Sequence, residues 1–354
     1  MEHGKRIESI KEELVEKDRE VFLALGGYDC FYLSGFYTES QYNYPVTVIP
    51  QEGEPYLLLS DLDRSAADDS SIPVRVPDKN FVEALIGSLE GEKVLLGGSV
   101  TVDLYSRLDE ELDIEVDDEI LRDMREVKSR EETERIEDTC RLTENAIESF
   151  KDDISGETER EAAAQLEYNM RVNGSDGTAF PTIVASGASS ATPHHPTGDR
   201  NLDGPVLVDV GARKDGYVSD ISRTFYIGEP RDKYRKIYNA VLEAQRAAVK
   251  EVRDGVESTE VDGAARSVLE EKDLEEHFVH STGHGVGISV HEAPNVSEES
   301  DETLEEGMVI TVEPGVYLDG EFGVRIEDTY MVKKNGAERL TSLSCELEDN
   351  IIEV

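Results

Sequence analysis

Two blocks of alternating apolar and polar positions set the pattern of this chain. Val206 to Val210 is a short apolar run carrying one acid, Asp209, and predicts a buried strand. Asp215-Gly216 is a turn dipeptide, and Tyr217 to Tyr226 predicts the returning strand. Further on, Val309 to Val312 is apolar and β-branched, with Glu313 directly after it. Asp319-Gly320 and Gly323 supply turn chemistry, and Val324 to Tyr330 returns with Glu327. An acid-x-Gly triplet occurs in each block, as Asp209-Val210-Gly211 and Glu313-Pro314-Gly315, and a second acid follows eleven or fourteen residues later. The blocks read as an internal duplication, two facing hairpins that each offer two carboxylates. A two-residue loop at Asp215-Gly216 sets Asp209 opposite Ser222 and diagonal to Asp220, on one face. A three-residue loop sets the two acids on opposite faces.

Helical periodicity surrounds these blocks. Ser129-Arg-Glu-Glu132 and Thr158-Glu-Arg-Glu161 are capping boxes, followed by Ile136, Cys140, Ile147 and Phe150 and by Leu166 and Met170. Ile237, Val241, Ala244, Ala248 and Val252 mark a third helix; Val261, Ala265, Val268 and Leu269 mark a fourth. These stripes predict helices covering the sheet that carries the acids. Residues 1–125 read as a separate α/β domain, with residues 126–354 forming the second. In the first domain Glu2 to Asp18, Phe81 to Leu89 and Val102 to Leu108 predict helices. Val21 to Leu25, Cys30 to Leu33, Pro45 to Ile49, Tyr56 to Leu59, Lys93 to Leu96 and Leu112 to Val116 predict strands.

Charge narrows the function. The formal net charge is −43, from 79 acids against 36 bases spread along 354 residues, which argues against nucleic-acid and anionic-membrane binding. Such a carboxylate surface resembles proteins of salt-loving archaea or bacteria and predicts a fold that needs high salt to stay compact. Three scattered cysteines, no apolar leader and no apolar run near membrane-spanning length point to a reducing cytoplasm.

Most acids on such a chain are solvated surface charges. Asp209 and Glu313 differ because each ends an apolar run, and a buried carboxylate is costly unless paired, hydrogen-bonded or bound to metal. With His284, in His280-Ser-Thr-Gly-His284-Gly-Val-Gly287, the four acids form a hard, oxygen-rich donor set. From Glu126 onward these motifs resemble the pita-bread metallopeptidases, a family that includes methionine aminopeptidase, aminopeptidase P and prolidase. Tyr28-Asp-Cys-Phe-Tyr-Leu-Ser-Gly35-Phe36 is similar to an early motif of the creatinase/prolidase N-terminal domain.

The resemblance implies an α/β N-terminal domain plus an α+β pita-bread domain of pseudo-twofold hairpins covered by helices. It implies two divalent ions, Mn or Co ahead of Zn or Fe. Asp209 is expected on one ion, Asp220 and Glu327 on both, and His284 and Glu313 on the second. Glu313 is also the expected proton shuttle. His291 is expected at the scissile bond and His194 in the substrate pocket, with His195 as the alternative for His194. His280 is expected in the pocket without being a ligand, and Arg325 and Thr224 beside the ligand carboxylates. The flanking Gly283 and Gly285 are expected to let the backbone crowd the metal at His284. The implied activity is hydrolysis of Xaa-Pro bonds in dipeptides or short peptides by a metal-bridging hydroxide, in a homodimer. No Lys or Arg lies between Glu292 and Phe322, and Asn295 stands where the resemblance leads one to expect a base for the substrate carboxylate. Two alternatives follow: an aminopeptidase P acting on longer Xaa-Pro peptides, and a creatinase-like or non-catalytic binding protein of the same fold.

Overall fold

Each half of the acid-bearing region folds from the same pieces in the same order, two helices and then a long β-hairpin. The computed structural model describes residues 2–38, 45–78, 80–98, 100–152, 154 and 158–353. It divides into two units, Met1–Arg125 and Glu126–Val354.

The first unit runs α1 (Glu2–Glu16), β1 (Val21–Leu25), α2 (Gly27–Ser34), β2 (Val46–Pro50), β3 (Tyr56–Leu58), β4 (Val74–Arg75), α3 (Phe81–Ser88), β5 (Lys93–Gly97), α4 (Val102–Asp109), β6 (Asp113–Val116) and α5 (Glu119–Glu126). Its strands form one mixed sheet in the order β4-β3-β2-β1-β5-β6. Every residue of β1 is buried, which explains its unbroken apolar run. The expected strand at Cys30–Leu33 is instead the middle of α2. A four-residue apolar run fits either state. Here Gly26 (φ 94°) and Gly35 (φ 78°) bracket a buried helix, with Gly35 N–H donating to Phe31 O at 2.8 Å. Helix α5, which no sequence pattern had marked, buries only Ile120 and Leu121.

The second unit opens with α6 (Arg130–Asp152) and α7 (Glu159–Val172). Both capping boxes form: Ser129 N–H donates to Glu132 Oε2 at 2.9 Å, and Thr158 N–H to Glu161 Oε2 at 2.9 Å. There follow β7 (Gly177–Thr178), β8 (Ile183–Ser186), β9 (Gly204–Val210), β10 (Ala212–Lys214), β11 (Tyr217–Val218) and β12 (Ile221–Ile227). Helices α8 (Asp232–Glu251) and α9 (Ser258–Glu270) then precede β13 (Gly283–Gly285), β14 (Glu292–Val296), β15 (Val309–Val312), β16 (Gly315–Leu318), β17 (Phe322–Arg325), β18 (Asp328–Lys333), β19 (Gly336–Arg339) and β20 (Ile351–Ile352). The two larger sheets run β20-β12-β9-β8 and β14-β13-β15-β18-β19. Helices α6 and α7 pack Ile147, Phe150 and Leu166 against Val206, Val208 and Ile221 of the first hairpin. Helices α8 and α9 pack Tyr238, Val241 and Leu269 into one core with Ile310, Val312 and Val324 of the second.

Asp215 (φ 48°) and Gly216 (φ 80°) both adopt left-handed backbone, as a two-residue hairpin turn requires. Lys214 pairs with Tyr217, and Asp209 with Ser222, so the two-residue register holds. In the second hairpin Val312 pairs with Asp328 and Gly315 with Arg325, which brings Glu313 and Glu327 abreast in the gap between. Neither returning strand is continuous. The first breaks at Ser219-Asp220 and the second at Ile326-Glu327, where the chain passes from one sheet to another. A candidate ligand sits in each break.

The hairpins meet back to back by exchanging equivalent bonds. Thr224 donates to Arg325 O at 2.9 Å, and Thr329 donates to Asp220 O at 3.1 Å. Between them the fully buried Arg223 and Asp328, at equivalent positions of β12 and β18, pair at 2.6 Å.

Candidate metal centre

Local chain geometry explains why these acids are inside. Asp209 lies near the end of β9, Asp220 and Glu327 lie in the strand breaks, and Glu313 follows β15. His284 sits mid-β13, opposite Asn295 of β14. All five line one cavity of about 1030 Å³. Asp220, His284 and Glu327 each offer a ligand atom, all within 4.8 Å of one another. Glu313 Oε1 is 3.3 Å and Asp220 Oδ2 3.6 Å from His284 Nε2. Asp209 is held by Arg325 Nη2 at 2.6 Å.

The imidazole is oriented for coordination. His284 Nδ1 lies 3.0 Å from Gly285 O, a carbonyl that can only accept, so the proton is on Nδ1 and Nε2 faces the acids. Gly283 and Gly285 have a packing role. A Cβ on Gly283 would stand 2.0 Å from Thr311 O, and one on Gly285 2.1 Å from Ala293 O. The glycines let the strands on either side close on β13.

Electrostatics separates the acids. Burial and the charges of neighbouring carboxylates push the pKa values of Asp220 and Glu327 well above the usual carboxylate range. Burial also acts to raise Glu313, but the hydrogen bond and charge of His284 outweigh it and bring Glu313 down to about 2. His284 is raised, because Glu313 more than offsets the effect of burial. Two buried oxygens, Asp209 Oδ1 and Glu327 Oε1, have no hydrogen-bond partner. Such atoms are expensive in a folded interior, and here both lie among mutually repelling acids. A cation would satisfy both defects at once. The donor set therefore fits divalent metal, with Asp209, Asp220, His284, Glu313 and Glu327 as the residues able to hold it.

The remaining histidines divide by contact. His194 and His195 both line the cavity, but His195 Nε2 is 2.9 Å from Glu159 Oε2 while His194 is exposed to the space. The rings of His291 and His284 lie 4.3 Å apart, edge to face. Burial and the charge of His284 lower His291, which favours its neutral form. His280 donates through Nδ1 to Ser281 O at 2.8 Å and accepts from Tyr317 Oη at 2.8 Å, so it is engaged away from the ligands.

Arg325 is no rim charge. It is 3% exposed, and donates to Asp209, to Ser222 Oγ at 2.8 Å and to Tyr317 Oη at 2.8 Å. Thr224 braces the Arg325 backbone, donating to its carbonyl and accepting from its N–H. Tyr317 was missed from sequence. It lies four residues beyond Glu313 and two beyond Gly315, and strand alternation could have put it on the same face. Among the described cavity-lining residues Arg325 is the one Lys or Arg, and the wall beside His284 ends in Asn295 and Glu302. Glu302 Oε2 accepts Asn295 N–H at 2.5 Å.

Comparison with known proteins follows the same division of the chain. Residues 134–334 match metallopeptidase family M24, and residues 6–127 match the creatinase/prolidase N-terminal domain. An Xaa-Pro dipeptidase of Pyrococcus furiosus is 38% identical over 308 residues, spanning 85% of this chain and 88% of that protein. The crystal structure of the prolidase from Pyrococcus horikoshii superposes with a TM-score of 0.92 at 36% identity, covering 97% of this chain and 99% of the other. An X-Pro aminopeptidase from Thermotoga maritima superposes at 0.87 and 34% identity, covering 97% and 99%. With its ligand motifs, paired hairpins and covering helices accounted for, the chain belongs to metallopeptidase family M24, the pita-bread family.

Proposed function

We propose that this chain is a metal-dependent Xaa-Pro dipeptidase whose residues 126–354 form the catalytic domain and whose residues 1–125 form a creatinase/prolidase-like N-terminal domain. The observation that carries the reading is the set of four carboxylates and His284 around one cavity, with Asp209 Oδ1 and Glu327 Oε1 buried and unpartnered. Its substrate class is taken from the relatives described above. In this reading Asp209, Asp220, His284, Glu313 and Glu327 hold two divalent ions, Mn or Co ahead of Zn or Fe, because four of the five donors are hard oxygens. When bound, the ions supply a Lewis acid for the scissile carbonyl and acidify the attacking water.

The chain's own groups do the rest. Glu313, held ionised beside His284, accepts the proton that must reach the proline nitrogen as the C–N bond breaks. His291, stacked by its edge on His284, donates an N–H to the carbonyl oxygen as negative charge develops there. His194 contacts the bound peptide from the loop across the cavity. Arg325 fixes the Asp209 carboxylate and leaves Oδ1 free to coordinate. The protein acts as a homodimer in a halophile's cytoplasm, and its charge of −43 disfavours nucleic acid and anionic membranes. Among the described residues no helix is long and apolar enough to cross a membrane.

A second reading, cleavage of longer Xaa-Pro peptides, is supported by the wall of Asn295 and Glu302, which offers no cation to a free proline carboxylate. One experiment tests both. The chain is stripped of metal, refilled separately with Mn, Co, Zn and Fe in high salt, and assayed on Ala-Pro and Gly-Pro-Ala. Metal-dependent release of proline from Ala-Pro supports the dipeptidase. Cleavage of the tripeptide alone supports the second reading, and no cleavage of either rejects both.

A further inference from the structure

Glu159 is a carboxylate in the first turn of α7 that the metal centre does not use, yet it is 1% exposed. Its Oε1 accepts Ser186 N–H at 2.9 Å, and its Oε2 accepts Gly198 N–H at 3.0 Å and meets His195 Nε2 at 2.9 Å. The helix start is tied to the same segment by its backbone: Glu159 N–H donates to Arg200 O and Arg160 N–H to Gly198 O, both at 2.9 Å. The approach is close, since a Cβ on Gly198 would lie 3.4 Å from Glu159 Oε2. Thr197 adds a clasp to β8, donating to Thr182 O and accepting from Val184 N–H, both at 3.0 Å. One buried carboxylate thus grips the β8–β9 loop where it leaves the sheet, at Ser186, and where it returns, at His195 and Gly198. His194 lies between these holds and faces the cavity.

We propose that Glu159 is a positioning residue, which fixes the loop through His195 and the flanking backbone so that His194 is presented to the bound peptide. This rests on the reading of His194 as a substrate contact. Burial alone would raise the Glu159 carboxyl, but the Ser186, His195 and Gly198 donors outweigh it and hold it below its ordinary range, as an anchor kept charged requires. Glu159→Gln keeps the size but has one accepting oxygen in place of two, so part of the grip is lost.

The test uses the full metal-loaded chain in high salt with Ala-Pro as substrate. Glu159→Gln should raise KM roughly tenfold, since small misplacement of a positioning group is costly, while bound metal is unchanged. In a His194→Ala background the same change should have no further effect on KM. Hydrogen exchange should quicken over residues 187–200 in Glu159→Gln and in no other segment. An equal KM effect with and without His194, or unaltered exchange in the loop, overturns the proposal. If the wild-type chain cleaves no Xaa-Pro substrate, the functional reading fails, and loop exchange still decides whether Glu159 restrains this segment. Should Glu159→Gln not fold, His195→Gln removes only the imidazole arm and carries the same expectations at smaller amplitude.

Discussion

Loading the metal centre should expel protons, and the upper limit can be worked from the pocket. In the metal-free chain burial and neighbouring carboxylates raise Asp220 and Glu327 well above ordinary carboxylates, which favours their protonated forms. His284 is raised as well, which favours its charged form, while Glu313, brought down to about 2, is already ionised. A metal ion needs the lone pairs of all of them, so the most it can expel is about three protons per chain, one each from Asp220, Glu327 and His284, with the count rising as pH is lowered. Calorimetric titration of stripped protein with Mn²⁺ or Co²⁺, at one pH and salt concentration in two buffers of unlike ionisation enthalpy, gives the number from the difference in apparent enthalpy. Asp220→Asn and Glu327→Gln should each lower it by about one. The sign with pH is fixed. Groups whose folded pKa is raised stabilise the metal-free fold below their unfolded values, and that contribution is lost as pH rises through the folded values. The stripped protein should therefore weaken as pH climbs, and the rise in melting temperature on adding metal should grow over the same window. A proton count that stays near zero as pH is lowered through the acid range in which the fold survives would refute the claim that these acids crowd one another.

Other expectations follow from specific contacts. Arg223→Met breaks a fully buried pair with Asp328 and strips donors from Leu343 O and Glu327 O, so the urea midpoint of the second unit should fall by an amount equal to ~3–5 kcal/mol. Asp328 is pressed from both sides: burial raises it, but Arg223 and Arg339 bring it down to about 2. The stability it contributes should be intact above its unfolded value near 3.8 and disappear as pH falls through about 2, as read by acid unfolding of wild type against Asp328→Asn. Gly285→Ala would push a Cβ to 2.1 Å from Ala293 O, and should cost metal affinity in equilibrium dialysis because His284 moves with its strand. With a net charge of −43, the melting temperature should rise steadily with KCl beyond the range where simple screening saturates, and a flat response would reject the halophilic reading.

Much of this site could be read from the chain, because its signals are local. The Asp215-Gly216 dipeptide specifies a turn type, turn type fixes register, and register puts Asp209 opposite Ser222. Ser129 and Thr158 announce two helices through side chains only three residues from their partners. What escaped depends on contacts remote in sequence. Nothing near Cys30–Leu33 distinguishes a buried strand from a buried helix, and the flanking glycines settle it only through their backbone angles. Arg325 was expected beside a ligand carboxylate and is, but which carboxylate, Asp209 on the other hairpin, is settled by a contact remote in sequence. The glycines around His284 signalled crowding, and the neighbouring strands that crowd them are seen only in the folded chain. Glu159 read as part of a helix start, because its partners at Ser186, His195 and Gly198 lie in a loop that only the folded chain brings to it.

The back-to-back hairpins also explain how a nearly symmetric basket acquires a direction. Asp220 stands opposite Gly211 in one hairpin just as Arg325 stands opposite Gly315 in the other, so one location carries an anion in the first copy and a cation in the second. Two identical polypeptides joined about a twofold could not make that choice, since any change in one would be repeated in its mate. Covalent fusion of the repeats lets a single position diverge, and the resulting polarity gives an otherwise balanced bowl a front and a back, so that a chain with distinct ends can be told apart from its reverse.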